Sequence, residues 1–280
     1  APAPYSAPSA YYFPVVARME AIEVRKGSSQ IKYGPNTNGG ALNLVSRRIP
    51  SEFKGRAQAY FGEDNHRKVH TYLGDSGQNV GWLAEGLFME SNGFKRLDGG
   101  GKTGFDIQDV VTKLRFNTSA SASAYQALEI KAGFTNELSQ ETYLGLTQGD
   151  FDASPFRRYA ASQKDQMDAY HRQLSTRHFI QLNPSMDLTT TLYRNDFHRN
   201  WYKLNKVNGK DLGTALFNGT ELYKVLTGTG AGELRVKSNN RNYFLGGIQS
   251  EFNGDYYSGE VLNELTAGVR LHRDQIRRFQ

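Results

Sequence analysis

Apolar and polar positions alternate with a period of two along much of this chain. In residues 53–61, Phe53, Gly55, Ala57, Ala59 and Phe61 share one face; Lys54, Arg56, Gln58 and Tyr60 share the other. Val110, Thr112, Leu114 and Phe116 oppose Val111, Lys113, Arg115 and Asn117. Leu128, Ile130, Ala132 and Phe134 oppose Glu129, Lys131 and Thr135, and Leu265, Ala267, Val269 and Leu271 oppose Glu264, Thr266, Arg270 and His272. Successive side chains of a strand point to opposite sides, so each stretch predicts a strand with one apolar and one wetted face. Ala57, Ala59, Leu114, Phe116, Leu128, Ile130 and Val269 fall on the apolar faces. Less regular alternation predicts strands at 69–74, 80–90, 174–182, 188–199 and 242–252; in 188–199 both faces are mixed, which leaves its orientation open.

The connections between these strands also follow a rule. Those at 76–79, 182–185 and 253–255 are short, and those at 93–106, 136–170 and 200–241 are long. Short and long connections in alternation are expected of an outer-membrane barrel, with tight turns at one end and large loops at the other. The connection at 63–68 is short where a long one is due. A soluble β-sandwich also alternates in and out, but has no need of long loops at one end only.

Composition narrows this further. The chain has 280 residues and no cysteine, which excludes disulfides, thiolate metal sites and thiol catalysis. The 16 Tyr, 16 Phe and 29 Gly suit strands that are apolar on one side only. No apolar run is long enough for a membrane helix. The net charge of +6 is dispersed rather than gathered in a stripe, which argues against a nucleic-acid partner.

The stretch before the first of these strands is different in kind. Two short apolar runs, 22–24 and 41–45, flank a turn-rich segment, Tyr33-Gly34-Pro35-Asn36-Thr37-Asn38-Gly39-Gly40. Glycine and proline punctuate it, so the residues predict two strands joined by a tight loop. The run from Glu20 to Arg47 resembles the end of the plug domain of TonB-dependent outer-membrane receptors. The resemblance lies in the Ile22-Glu23-Val24 strand, the basic residues and Gly27, the Tyr33-Gly34-Pro35 and Gly39-Gly40 loop, and the Asn43 to Arg47 strand. Pro2-Ala3-Pro4-Tyr5 and Arg47-Arg48-Ile49-Pro50 resemble the ferric-dicitrate branch of that family.

The resemblance implies an all-β membrane fold: residues 1–50 as the end of a plug, and 51–280 as the first antiparallel strands of a transmembrane barrel. Family barrels have about 22 strands, so the chain is expected to be a fragment. Import of a ferric chelate, ferric citrate or another siderophore-like complex, is implied, driven by plug rearrangement under the TonB complex. The alternatives are a passive outer-membrane channel and a soluble β-sheet module for anionic ligands. The expected location is the outer membrane of a Gram-negative cell, as a monomer among lipid and lipopolysaccharide. No enzymatic activity and no cofactor are expected, because iron would arrive already chelated.

Candidate ligand contacts follow from the long connections and from the resemblance. Arg157, Arg158 and Tyr159 in one, and Arg199 and Trp201 at the edge of another, set guanidinium forks beside aromatic rings, a combination that suits a carboxylate-bearing chelate. Tyr5 joins them by resemblance. A different reading has these cations bridging lipopolysaccharide or pairing with Asp150 and Asp152. Lys26 and Arg47 match family positions where plug cations pair with barrel carboxylates, and their partners are expected in strands beyond this chain. Gly228-Thr229-Gly230-Ala231-Gly232 has no strand–helix frame for a dinucleotide, Asp150 to Ser154 lacks the glycine of a calcium loop, and the six histidines show no metal-ligand spacing.

Overall fold

A computed structural model describes residues 14–27, 39–216 and 220–279. A 3-10 turn at Val16–Arg18 leads into β1 (Met19–Arg25), which pairs antiparallel with β2 (Ala41–Ser46). The predicted plug strands are therefore a hairpin. Then come β3 (Lys54–Phe61), β4 (Arg67–Ser76), β5 (Val80–Ser91), the short β6 (Arg96–Leu97), β7 (Phe105–Asn117) and β8 (Gln126–Ser139). Helix α1 (Gln148–Ala153) and β9 (Arg157–Arg158) precede the long strands β10 (Gln166–Asn183) and β11 (Met186–Val207). After β12 (Lys210–Asp211), α2 (Leu212–Ala215) and α3 (Glu221–Thr227) come β13 (Leu234–Ser258) and β14 (Val261–Phe279).

β3, β4, β5, β7, β8, β10, β11, β13 and β14 form one antiparallel meander in chain order, each paired with its sequence neighbours. Its two end strands each have one partner on this path, so the sheet is an open wall. Every predicted strand is present, and most run further. β10, β11, β13 and β14 have 18, 22, 25 and 19 residues, against about 9–11 needed to cross a bilayer at a tilt. Backbone pairing continues where side chains turn polar on both faces, and hydropathy is blind to that extension.

One turn expectation needs correction. The chain does not turn at 253–255: Asn253, Gly254 and Asp255 stay paired in β13, and the turn comes at Gly259, with φ +63°. The short connection after β3 is explained by Asp64 and Asn65, both at positive φ (53° and 55°), a conformation that asparagine and aspartate tolerate in tight turns. At the same end lie the large connections 92–104, 140–165 and 208–233, while 77–79, 118–125, 184–185 and 259–260 close the other.

The register also assigns the faces. His70, Tyr72, Leu83, Glu85, Leu87, Asp109 and Val111 are buried on the side that the β1–β2 hairpin occupies. On the opposite side Leu114, Phe116, Leu192, Val269 and Leu271 are exposed, Leu271 at 68 %. Ala57 and Ala59 pair with Thr71 and Val69, and Leu128 and Ile130 with Phe116 and Leu114, so all share that outer face. The mixed strand is resolved too: Leu188, Thr190 and Leu192 point outward with Phe252, Ser250 and Ile248, while Asn195 and Phe197 point inward.

Candidate functional site

Three groups of residues on the inner side and at the loop end make up the candidate site. The first is the junction of the β1–β2 hairpin and the wall. Arg18 Nε lies 2.9 Å from Asp109 Oδ2 on β7, with both side chains almost wholly buried. Arg47, just after β2, donates to Glu85 Oε1 on β5 at 3.2 Å, and its guanidinium sits 3.8 Å above the centre of the Tyr72 ring. His70 Nε2 is 2.9 Å from the same Glu85 oxygen. A carboxylate this deep is tolerable only when paired and hydrogen-bonded. The expectation that the plug's partners lie beyond this chain is corrected for Arg47: its partner, Glu85, is one of the inward positions of β5. Lys26 does not stand at this latch. It lines a cavity of about 680 Å³ between hairpin and wall, with Arg18, Arg25, Lys131, His171 and Asn195.

The second group is the inner wall above the latch. Asp109 pairs with Thr135, then His171, Phe197, Tyr243 and Ile276 in successive strands, which defines an inward rung. Two residues further toward the loops, the same face carries Glu137, Ala169, Arg199, Arg241 and Arg278. Three arginines thus occupy neighbouring positions on one rung. The next carries Met167, Trp201 and Asn239, and the next Lys203 and Lys237. Arg199 is 0 % exposed. Arg199 and Trp201 belong to β11 and face inward; they are not loop residues. Lys203 Nζ lies 3.4 Å from the centre of the Tyr143 ring and 4.0 Å from that of Trp201, and the two rings meet edge to face at 5.2 Å.

The third group is a folded cap made of the long loops. Leu144, Tyr159, Ala161, Leu204, Val207, Ala215, Val225 and Leu226 form one buried cluster that joins loop 140–165, the end of β11 and loop 208–233. At its edge Asp150 Oδ2 accepts from Thr147 Oγ1 (2.8 Å), Tyr159 Oη (2.6 Å) and Tyr223 Oη (2.6 Å). Arg157 Nη1 donates to Asp150 Oδ1 at 2.8 Å, and its Nε and Nη2 clasp Asp98 in loop 92–104. β6 and β9 add a parallel pair between the same two loops. Burial pushes the Asp150 carboxyl up, but the hydrogen bonds from Tyr159, Tyr223 and Thr147 and the Arg157 charge outweigh it and hold the group below its ordinary value. Burial and the Asp150 hydrogen bond push the Tyr223 hydroxyl up to about 12, and Tyr159 upward as well.

The predicted site residues are therefore divided. Arg157 and Tyr159 are struts of the cap, and Arg157 pairs with Asp150 as the loop-acid reading foresees. Arg158 donates to the carbonyls of Pro155 and Arg157. Arg199 and Trp201 stand on the inner wall. Tyr5 and the whole of the Tyr33 to Asn38 segment lie outside the described residues. Sequence reasoning missed Glu85, Asp109, Arg241 and Arg278. Arg241 closes the predicted connection 200–241 and Arg278 lies past the last predicted alternation, so only pairing register brings them beside Arg199.

No protein-family model matches the chain. Solved structures do resemble it. The ferric-catecholate import receptor Fiu of E. coli K12, in its open form, superposes with TM-score 0.70 at 13 % identity, covering 94 % of this chain and 40 % of Fiu. The ferric citrate transporter FecA in unliganded form gives 0.67 at 18 %, covering 93 % and 35 %. The ferripyoverdine receptor of the outer membrane of Pseudomonas aeruginosa, bound to ferripyoverdine, gives 0.62 at 12 %, covering 92 % and 32 %. The chain thus spans about a third to two-fifths of the length of these structures. At such identities the likeness shows the fold, and it is the receptor fold that the residues from Glu20 to Arg47 resemble.

Proposed function

We propose that this protein takes part in import of a ferric chelate across the outer membrane of a Gram-negative cell. The observation that carries the reading is the plug hairpin held by Arg18–Asp109 and Arg47–Glu85 against the inner face of a wall whose outer face is apolar. A porin-like channel has no use for a folded hairpin ion-paired across its lumen. A soluble sandwich would bury the outer leucines rather than expose them. Transport then requires the hairpin to shift, and an energised TonB complex is the proposed source of work. Iron is cargo here, held by its chelator.

The inner wall supports an anionic cargo. Arg199, Arg241 and Arg278 share one rung, and Lys203 and Lys237 stand two rungs on. A chelate bearing several carboxylates meets guanidinium forks there in their preferred geometry. Ferric citrate fits this chemistry, and the resemblance in the plug favours the same ligand.

Growth decides the matter. The full-length receptor, expressed in a strain lacking its own ferric-citrate uptake, should restore growth with ferric citrate as the only iron source, and only when TonB is present. Restoration without TonB would favour a passive channel; no restoration with any anionic ferric chelate would sink the reading.

A further inference from the structure

Glu85 receives two donors on one oxygen. Arg47 Nε stands 3.2 Å and His70 Nε2 2.9 Å from its Oε1, whereas Oε2 is buried and accepts no hydrogen bond among the described residues. The carboxylate is fully buried and His70 is 7 % exposed, so water does little to screen charges here. A carboxylate only accepts, so the imidazole donates through Nε2, and Nδ1 is left to take a second proton. Histidine is the side chain whose charge ordinarily changes between pH 5 and 8.

We infer that His70 is a positioning residue for Glu85, and that its protonation loosens the end of the β1–β2 hairpin that Arg47 ties to the wall. The inference rests on the reading given under Proposed function, in which the hairpin must shift. Neutral, His70 holds Oε1 toward Arg47 and adds no charge, so one carboxylate faces one guanidinium. Protonated, it sets a second cation against the same oxygen, and imidazolium and guanidinium repel at close range. His70 is fixed within β4 and keeps the carboxylate. Arg47 follows β2 and is partly exposed, so it is the partner that leaves for water. The charges around the pair do not offset the new one. From β7, Asp109 is already held by Arg18 at 2.9 Å, and Lys113 lies 3.7 Å from Glu129. On β4 itself Lys68 sits 4.1 Å from the centre of the Tyr60 ring, and β3 presents Gln58 opposite His70 and the cation Arg56 one rung on. Arg18–Asp109 is untouched by this step, so the hairpin swings at one end and is not detached. The two equilibria are linked: a lower pH favours the loosened hairpin, and loosening takes up a proton.

The test is hydrogen exchange on the full-length receptor in detergent at pH 8 and pH 5, corrected for the intrinsic pH dependence of exchange. A two-stranded hairpin is marginal by itself, so loosening is read at Ile22 and Leu44, which pair directly. In the parent, their protection should fall about fivefold or more from pH 8 to pH 5, the lower end of coupling between linked equilibria, with β7 and β8 unchanged. H70Q keeps a donor but never charges; it should match the parent at pH 8 and lose the fall at pH 5. If H70Q does not fold, R47Q decides: with no guanidinium to displace, the pH effect should vanish. A pH-independent parent, a fall that survives in H70Q or R47Q, or H70Q as poorly protected at pH 8 as the parent at pH 5 overturns the inference. The measurement needs neither chelate nor TonB, so failure of the import reading is seen separately, in the growth assay.

Discussion

Arg47 and Glu85 join the β1–β2 hairpin to the strand wall across 38 residues of sequence, with Arg47 Nε 3.2 Å from Glu85 Oε1. Arg47 is partly exposed while Glu85 is fully buried, so the carboxylate is the more dependent partner. Arg47→Ala leaves Glu85 with His70 alone and should cost about 1–3 kcal/mol. Hydrogen exchange on the full-length receptor should show faster exchange at Ile22 and Val24 and no change in β7 and β8. Uniform acceleration through the wall would mean that Arg47 supports the barrel and not the plug.

The outer face is the second target. Ala59 and Ile130 point away from the plug. Arginine at either position should cost about 2–4 kcal/mol near the bilayer midplane, and much less near an interface. Folding yield into lipid vesicles measures this. Parental yields for both Ala59→Arg and Ile130→Arg would contradict the assignment of faces.

Asp150 gathers three loops into one cap. Asp150→Asn keeps the shape but removes the charge that orients Arg157, and loss of one charge-assisted hydrogen bond should cost about 1.5–3 kcal/mol locally. Limited proteolysis of the intact receptor should then cut loops 140–165 and 208–233 faster. Arg157→Ala should do the same by releasing Asp98. If either variant weakens chelate binding with no gain in cleavage, the residue is a ligand contact instead.

The same hub predicts a pH range. The Asp150 carboxyl is lowered from an ordinary value of 3.8, so its contribution is full above that value and is lost as pH falls through the lower folded value. The Tyr223 hydroxyl is raised from 10.0 to about 12, so its contribution is full below 10.0 and is lost as pH rises through about 12. Cleavage of the cap should therefore be constant from pH 5 to 9, since both limits lie well outside that range. A transition near neutrality would assign control to another group.

Arg199 and Arg241 are paired positions on the inner wall. Arg199→Gln and Arg241→Gln should each weaken binding of ferric citrate about tenfold to a hundredfold, the equivalent of about 1.5–3 kcal/mol. Raising salt should weaken the parent more than either variant. Titration of purified receptor, with a neutral ferric hydroxamate as control, checks both statements. Parental affinity in both variants would remove the rung from the ligand site.

The sequence by itself determined the strands, most of the outer faces and the pair of short strands that form the β1–β2 hairpin. Those depend on local alternation and on turn residues, and the side-chain period of a strand is written directly in residues such as Ala57, Ala59, Leu114 and Ile130. The mixed face of 188–199 was illegible, because its outward residues pass from apolar Leu192 to charged Arg194 within one pleat. Only the tertiary structure decided which charges meet. Glu85 finds Arg47, Asp150 finds Arg157 and Tyr223, and Arg199 stands beside Arg241 through pairing register and loop packing. Apart from Asp150 with Arg157, seven positions away, these contacts join residues tens of positions apart, and no local pattern carries that information. Tyr159 shows the difference most clearly: beside Arg157 and Arg158 it reads as a ligand contact, yet its ring fills the core of the cap and its hydroxyl is bound to Asp150.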